Sequence, residues 1–433
     1  MPRKRMHTPL RVLLNNRLVG HLLKEASGAI SFRYDETWLS WENAIPVSLS
    51  LPLREDVYRG ERVVAVCENL LPDSDILRRR VAEKIGAKGV DAYSLLSEIG
   101  RDCVGALQFV PDDDAAIPDK SGIKGEIIGD QKIEKLLNNL VRAPLGLDLD
   151  QDFRISVAGV QEKTALLSYE GKWLKPHGTT PTTHVLKVQI GTLPNGIDLS
   201  NSVENEYYCL KLMAAFGLPV NVAEVTVFGK TKALVIERFD RKWTPDGRLL
   251  RIPQEDFCQA LSCPSSRKYQ SHGGPGIGDV LSLLKGSDTP AEDQKTFLKS
   301  QVIFWLMGAT DGHAKNFSIF LGRGGRFQLT PIYDVLTAQP SLEDRQIERK
   351  QMKLAMSVGD NRHYRIDEIE GRHFIQTARR AGLPGFLAHD VLADVTKTAG
   401  TAMNALETQL PSGFPEEIHA SVKKALTSRL KKI

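Results

Sequence analysis

No two cysteines in this chain stand at CxxC spacing, and the five present (Cys67, Cys103, Cys209, Cys258 and Cys263) are odd in number. That argues against a disulfide framework and a cysteine-rich zinc site, and for structural thiols in a reducing compartment. The ten histidines include no H-x-x-x-H pair, which sets aside a zinc hydrolase, and no G-x-S-x-G elbow is present. No run approaches the roughly 18 apolar residues that cross a bilayer. The apolar stretch Val12-Leu13-Leu14, after the basic Met1–Arg5, is too short for a signal peptide. The expected location is therefore the cytoplasm, with no membrane partner. Neither G-x-G-x-x-G nor a Walker sequence occurs. Gly273-Gly274-Pro275-Gly276 is glycine-rich, but no strand enters it and the proline removes a donor, so it reads as a surface loop. Internal repeats and low-complexity tracts are absent too. A formal net charge of +4 neither requires nor forbids nucleic acid.

What is there suits a soluble protein of two or three domains: 433 residues, 41% hydrophobic and 25% charged. Arg11–Leu14, Asn15-Asn16-Arg17 and Leu18–Leu22 have the pattern of a hairpin around an Asn-rich turn. Asp75–Lys84 reads as an Arg-rich amphipathic helix capped by Asp73 or Ser74, and a helix is expected at Gln131–Val141. The acidic segment Pro111–Asp119 reads as a loop or junction. Phe153–Val157 and Thr164–Leu167 read as two strands around a turn containing Gly159. Strands are expected at His184–Ile190, Val225–Val227 and Ala233–Glu237, and a helix at Val203–Phe216, ended by Gly217. Beyond Phe239 the chain turns mainly helical. This order predicts an α+β, two-lobed enzyme. Its parts are a β-rich subdomain at 1–145, an N-lobe with phosphate loop and hinge at 146–238, and a helical C-lobe at 239–433.

The chemistry concentrates in Asp311-Gly312-His313-Ala314-Lys315-Asn316 and, eighteen positions on, Asp334. Phosphoryl transfer needs this set: a carboxylate to accept the acceptor's hydroxyl proton, then a carboxamide and a second carboxylate as hard oxygen ligands for Mg²⁺. Leu298, Val302 and Trp305/Leu306 have helical spacing ahead of Asp311, and Phe327–Tyr333 alternates like a short strand ahead of Asp334. Upstream, Lys187 stands mid-strand opposite Leu186, Val188 and Ile190. It suits nucleotide phosphates or, at a sheet edge, plain solvent. Glu206 is favoured over Glu204 as the carboxylate that braces it. The turn Ala158-Gly159-Val160-Gln161-Glu162-Lys163 offers backbone N–H groups and one cation to phosphates. Glu237-Arg238-Phe239, ending a strand, is a candidate adenine hinge or simply a core strand.

Across nearly its whole length the sequence resembles the HipA-type serine/threonine kinases, the toxins of bacterial HipA–HipB toxin–antitoxin pairs. The resemblance rests on Phe153–Leu167, Asn205–Leu210, Val235–Asp240 and Gly308–Asn316. It implies a protein-kinase-like fold, ATP and Mg²⁺ as cofactors, Asp311 as catalytic base, and Asn316 and Asp334 as metal ligands. It also implies nucleotide contacts at His313, Ala314, Lys315, Asn316, Tyr333 and Asp334, a phosphate loop at 158–163, a phosphate-binding Lys187 and a hinge at 237–239. Ser156 matches a serine that family members autophosphorylate, and a charge of about −1.5 to −2 beside a phosphate loop would silence it. Ala309-Thr310-Asp311 stands where eukaryotic kinases have His-Arg-Asp, and Asp334-Val335-Leu336 where they have Asp-Phe-Gly. Control is therefore expected upstream, at Ser156. The resemblance further implies a helix-turn-helix antitoxin dimer of the HipB kind meeting residues 1–145, with operator DNA through or alongside it. It implies a substrate in the translation machinery, of the glutamyl-tRNA synthetase kind. Arg372, Arg379 and Arg380 make a basic helical stretch that would touch DNA phosphates or only solvent. Two rivals stand: a small-molecule kinase of the aminoglycoside or choline type, and a pseudokinase co-repressor scaffold.

Overall fold

The computed structural model describes residues 7–114, 122–147, 153–159 and 161–433. Most of the acidic segment Pro111–Asp119 lies outside them. The chain packs as two units, each assembled from separate stretches: one within 1–188, 226–266 and 319–326, the other from 189–225, 267–318 and 327–433. A division into consecutive segments describes chain order, whereas the packing interleaves them.

The first unit begins with a five-stranded sheet in the order Tyr58–Arg59, Ile30–Tyr34, Arg17–Lys24, Leu10–Leu14, Leu107–Pro111. Asn15 and Asn16 both take positive φ, 46° and 67°, as a two-residue turn matched to strand twist requires. Asn15 is also fastened from outside: its side chain exchanges two 2.8 Å hydrogen bonds with the backbone of Arg251. Leu10, Val12, Leu22 and Phe32 pack in one core with the helices Glu61–Glu68, Asp75–Ile85 and Ala92–Ile99. The hydroxyl of Ser74 caps the second of these by accepting from Leu77 N, and Gly86 ends it at φ 68°.

A second antiparallel sheet, five of whose strands lie wholly in this unit, runs Thr231–Glu237, His184–Val188, Lys163–Tyr169, Lys172–Pro176, Gly125–Ile128. Helix Asp130–Asn138 buries Ile133 and Leu137 against its Leu166, Leu186 and Ala233. Two expectations need correction. Phe153–Val157 is not a strand; its alternation reflects Phe153, Ile155 and Val157 dipping into the first core, with no ladder partner among the described residues. After Phe239 come three short strands, Arg241–Trp243, Leu249–Arg251 and Gln254–Asp256, before the helices begin.

Within this unit Glu255 is wholly buried. Leu49 N donates to its Oε1 at 2.8 Å, while Oε2 has no hydrogen-bond partner among the described residues. Burial pushes its carboxyl up from 4.5 to about 8, against the opposing bonds from Leu49 and Ser48. A raised folded value means the protonated form is favoured in the fold. Its contribution is complete below the ordinary value and drains away as pH climbs toward 8. Glu255→Gln keeps the shape and removes the charge. The variant is expected to be more stable than the parent by about 2 kcal/mol at pH 8.5 and to match it near pH 5, measured by urea unfolding at both pH values.

The second unit is built on helix Pro290–Met307, whose residues 297–307 are all buried, so that it has no solvent face near its end. Helices Ser202–Ala215, Gly385–Glu407 and Glu416–Leu430 belong to the same unit. Arg429 donates to the carbonyls of Trp305 and Leu306, two of the orphan acceptors at the end of the Pro290 helix. Gly308, at φ 76°, terminates it. Among the described residues no helix is long and apolar enough to cross a membrane.

Candidate active site

Because Gly308 stops the helix so sharply, Ala309–His313 emerge as a loop from a rigid post. Asp311 O accepts from His313 N at 2.8 Å, and Asn316 N closes a short turn onto His313 O at 2.9 Å. Gly312 is obligatory here: a Cβ would stand 2.5 Å from the ring of Phe304. The Asp311 carboxylate is about half exposed and open to an acceptor, with His313 Nε2 3.9 Å from Oδ1. The hydroxyl of Tyr269 donates to Oδ1, and its ring meets His313 edge-on at 4.9 Å. Nothing in the local sequence pointed to Tyr269, which lies 42 positions upstream.

Asn316 is buried and its amide group is committed to the loop, donating to Asp311 O at 2.8 Å and more weakly to Asp334 O at 3.5 Å. With both N–H donors so aimed, the carboxamide oxygen is left as its acceptor. Asp334 holds φ 57°, a conformation that non-glycine residues take only under local constraint. The constraint is visible on both sides of it. Ile332 pairs with Val220 and Asn221. Thr337 exchanges two 2.9 Å bonds with the Asn205 side chain and donates its hydroxyl to Met307 O at 2.6 Å. The strand before Asp334 is shorter than expected, Phe327–Leu329, because Pro331 cannot continue a ladder. Tyr333 anchors its hydroxyl to Ser318 and to Lys315 O. His313, Ala314 and Lys315 are buried around this turn.

In the first unit Lys163 and Lys187 are directly opposite each other across an antiparallel pair and both are buried. Opposite residues project to one face, where two like charges are unfavourable unless anions share the space. The turn leading to them is closed down. Gly159, at φ 107°, sits where a Cβ would strike Lys163 Nζ at 2.5 Å, and that ammonium donates to Ala158 O at 2.6 Å. Gln161 donates to Val188 O, and Glu162 accepts from Arg80 at 2.8 Å. Val160 lies outside the described residues. Ser156 is fully buried, its hydroxyl donating to Leu70 O at 2.6 Å and its N–H to Asp102 O at 3.0 Å.

At the candidate hinge, Glu237 is exposed and pairs in register with His184, while Phe239 meets Phe320 edge-on. Arg238 between them is different. Its guanidinium is buried and spent on Asp240 (2.7 Å), Asp102 (3.4 Å), Thr182 and Cys103 O. Arg241 and Arg251 also bind Asp102, at 2.9 and 3.0 Å. Burial would raise the Asp102 carboxyl; the guanidiniums of Arg241, Arg251 and Arg238 outweigh it and hold the group well below the carboxylate range. The Arg238 side chain is thus a fastener, and a nucleotide contact at this position would fall to the backbone.

Glu204 and Glu206 are both buried on helix Ser202–Ala215, and Glu204 accepts from Gln189 at 2.7 Å. In helix Gly371–Arg380, Arg379 is largely exposed and pairs with Asp360 at 2.9 Å. Arg380 bonds the carbonyls of Gly359 and Asp360, and Arg372 pairs with Glu370.

The model of the HipA-like C-terminal domain matches residues 155–403, and that of the HipA N-terminal domain matches 10–110. The chain belongs to the HipA family. It is accordingly a HipA-type kinase with an α+β kinase-like fold. It is 34% identical over 382 residues to the "Putative kinase Y4mE" of Sinorhizobium fredii, covering 86% of each chain. It is 29% identical over 367 residues to the serine/threonine-protein kinase toxin HipA of Shewanella oneidensis, covering 81% of this chain and 78% of that one. Among solved structures it is similar to the complex of Shewanella oneidensis HipA, HipB and operator DNA. That match has a TM-score of 0.79 at 25% identity and covers 98% of this chain and 96% of the other. The Asp102 network joins the two HipA modules, since Asp102 lies in the N-terminal match and Arg238, Arg241 and Arg251 in the C-terminal one.

Proposed function

We propose that this HipA-family kinase transfers the γ-phosphoryl group of ATP to serine or threonine of a translation-machinery protein, of the glutamyl-tRNA synthetase kind, and acts as the toxin of a toxin–antitoxin pair. The observation that carries the reading is Asn316, whose amide ties the Asp311 loop to the backbone of Asp334 and so leaves a carboxamide oxygen and a carboxylate for one cation. Both are hard oxygen donors of the kind Mg²⁺ takes, alongside phosphate oxygens and water. When bound, the ion would neutralise charge on the nucleotide phosphates. Asp311 would orient the acceptor hydroxyl and take its proton. Lys163 and Lys187 would face phosphate oxygens, which explains two buried cations on neighbouring strand positions. The backbone of Glu237–Phe239 would meet the adenine edge, and Glu206 would brace Lys187.

Restraint is proposed at two levels. Phosphate on Ser156 cannot fit where the hydroxyl now meets Leu70 O, so modification would expel the segment leading into the phosphate loop. A HipB-like antitoxin dimer would hold the N-terminal module and operator DNA, with Arg379 and Arg380 beside it; their contacts with residues 359–360 would first have to yield. Incubation with γ-labelled ATP and Mg²⁺ tests the reading. Label on Ser156, lost in Ser156→Ala and on chelation of the metal, is the expected outcome. Label only on a small alcohol would support the small-molecule kinase.

A further inference from the structure

Beside the catalytic loop, and wholly within the second unit, lies a cavity of about 470 Å³ that the chemistry above does not use. Its lining includes Thr310, the residue before Asp311, and Tyr269, whose hydroxyl donates to the Asp311 carboxylate, so it lies next to the base. Most of the rest of the wall comes from strand Lys353–Val358 and the hairpin that returns through His363–Arg365, with Ser271 and Glu368 completing it. Its charge is lopsided. Arg365 is neutralised by Asp367 and Glu368, at 2.7 and 2.9 Å. Lys353 and Arg362 line the cavity, are exposed, and form no ion pair among the described residues.

Arg362 is also placed at a cost. It sits at φ 56° in the hairpin turn, where a side chain is strained. The turn is held from outside: Gly359 N donates to Thr377 at 2.8 Å, Asp360 N donates to Gln376 at 3.2 Å, and Arg379 pairs with Asp360. On the far side, Ser357 donates both its N–H and its hydroxyl to Gln270, next to Tyr269. The cavity thus has fixed walls, two uncompensated cations and the proton acceptor of the reaction at its rim.

We propose that this cavity seats an acidic stretch of the substrate protein, with Lys353 and Arg362 binding carboxylates that flank the serine or threonine to be modified. The inference rests on Asp311 being the base of a protein kinase. Carboxylate-bearing peptide suits the site better than a nucleic-acid strand, because only two cations are uncompensated and no run of basic residues extends from them along the hairpin.

The test uses fluorescein-labelled serine peptides flanked by glutamate, alanine or lysine, with binding followed by anisotropy at low salt and label transfer from ATP followed in parallel. For the parent, glutamate-flanked peptides are expected to show kcat/KM about 10-fold above lysine-flanked ones, and Lys353→Glu with Arg362→Glu is expected to reverse the order. Melting temperature confirms that the double variant is folded. A polyglutamate competitor should displace the bound peptide, whereas displacement by polyuridylate alone would overturn the proposal in favour of a nucleic-acid site. If the parent turns over ATP but treats the peptide classes alike, or if the double variant keeps the parent's preference, the groove assignment fails and the kinase reading stands. A parent that turns over no ATP overturns the kinase reading and the groove with it.

Discussion

Asp311→Asn is expected to lower phosphate transfer by about 10³-fold with little change in the KM for ATP, and to relieve growth arrest in cells. The asparagine keeps an oxygen to accept from Tyr269 and fits the same space, so the loop should hold its shape. What it loses is the capacity to take a proton. Because the side chain is about half exposed and does not support a core, melting temperature should stay near that of the parent. A variant that transfers phosphate at the parental rate would remove Asp311 from the role of base. Growth arrest that persists with transfer abolished would instead favour the co-repressor scaffold.

The second large effect is on stability. Asp102→Ala is expected to cost about 3–5 kcal/mol, and hence to lower the melting temperature of the first unit by about 10 °C. Removing Asp102 leaves Arg238 and Arg241 with Asp240 as their carboxylate in the network and takes from Arg251 its ion pair with Asp102. Burial and the neighbouring Arg238 already pull Arg241 down to about 10, a sign of how much positive charge the site contains. The sign of the pH dependence follows. Asp102 and Asp240 both titrate below their ordinary value in the fold, so their contribution is present above that value. It is lost as pH falls through the folded ones. The parent should therefore lose stability steeply in acid below the ordinary carboxylate range, and the Asp102 variant less so, by thermal scans between about pH 2 and pH 5. A second readout separates this from simple unfolding. The network fastens both flanks of the proposed hinge, so at temperatures where the variant is folded its KM for ATP should rise while transfer per bound nucleotide changes less. Equal KM in variant and parent would confine Asp102 to stability alone.

Much of this was readable in the residues because it is local. Asn15-Asn16 announces its turn, Ser74 its cap, and Asp311 to Asn316 a loop at the end of a buried helix. What was not readable depends on partners far apart in the chain. Asp102 meets Arg238, Arg241 and Arg251 at separations of 136, 139 and 149 residues, and no pattern within a window of sequence shows that. Phe153–Val157 misled for a related reason. Alternation reports which side chains are buried, and a segment threaded through a core alternates as faithfully as a strand. Arg238 looked like part of an adenine hinge because it follows a strand end; its side chain turned out to face inward, to Asp102 and Cys103 of the N-terminal module.

The burial of Ser156 has one more consequence. A hydroxyl with no exposed surface, engaged by Leu70 O, cannot meet any phosphate donor from where it stands. Self-modification would therefore have to wait for the segment to come loose, and its rate would follow how often that happens rather than how much ATP is present. Once a doubly charged group is attached, the old berth cannot readmit it. The device would behave as a ratchet: slow to engage, indifferent to brief surges of nucleotide, and reversible only by removing the phosphate.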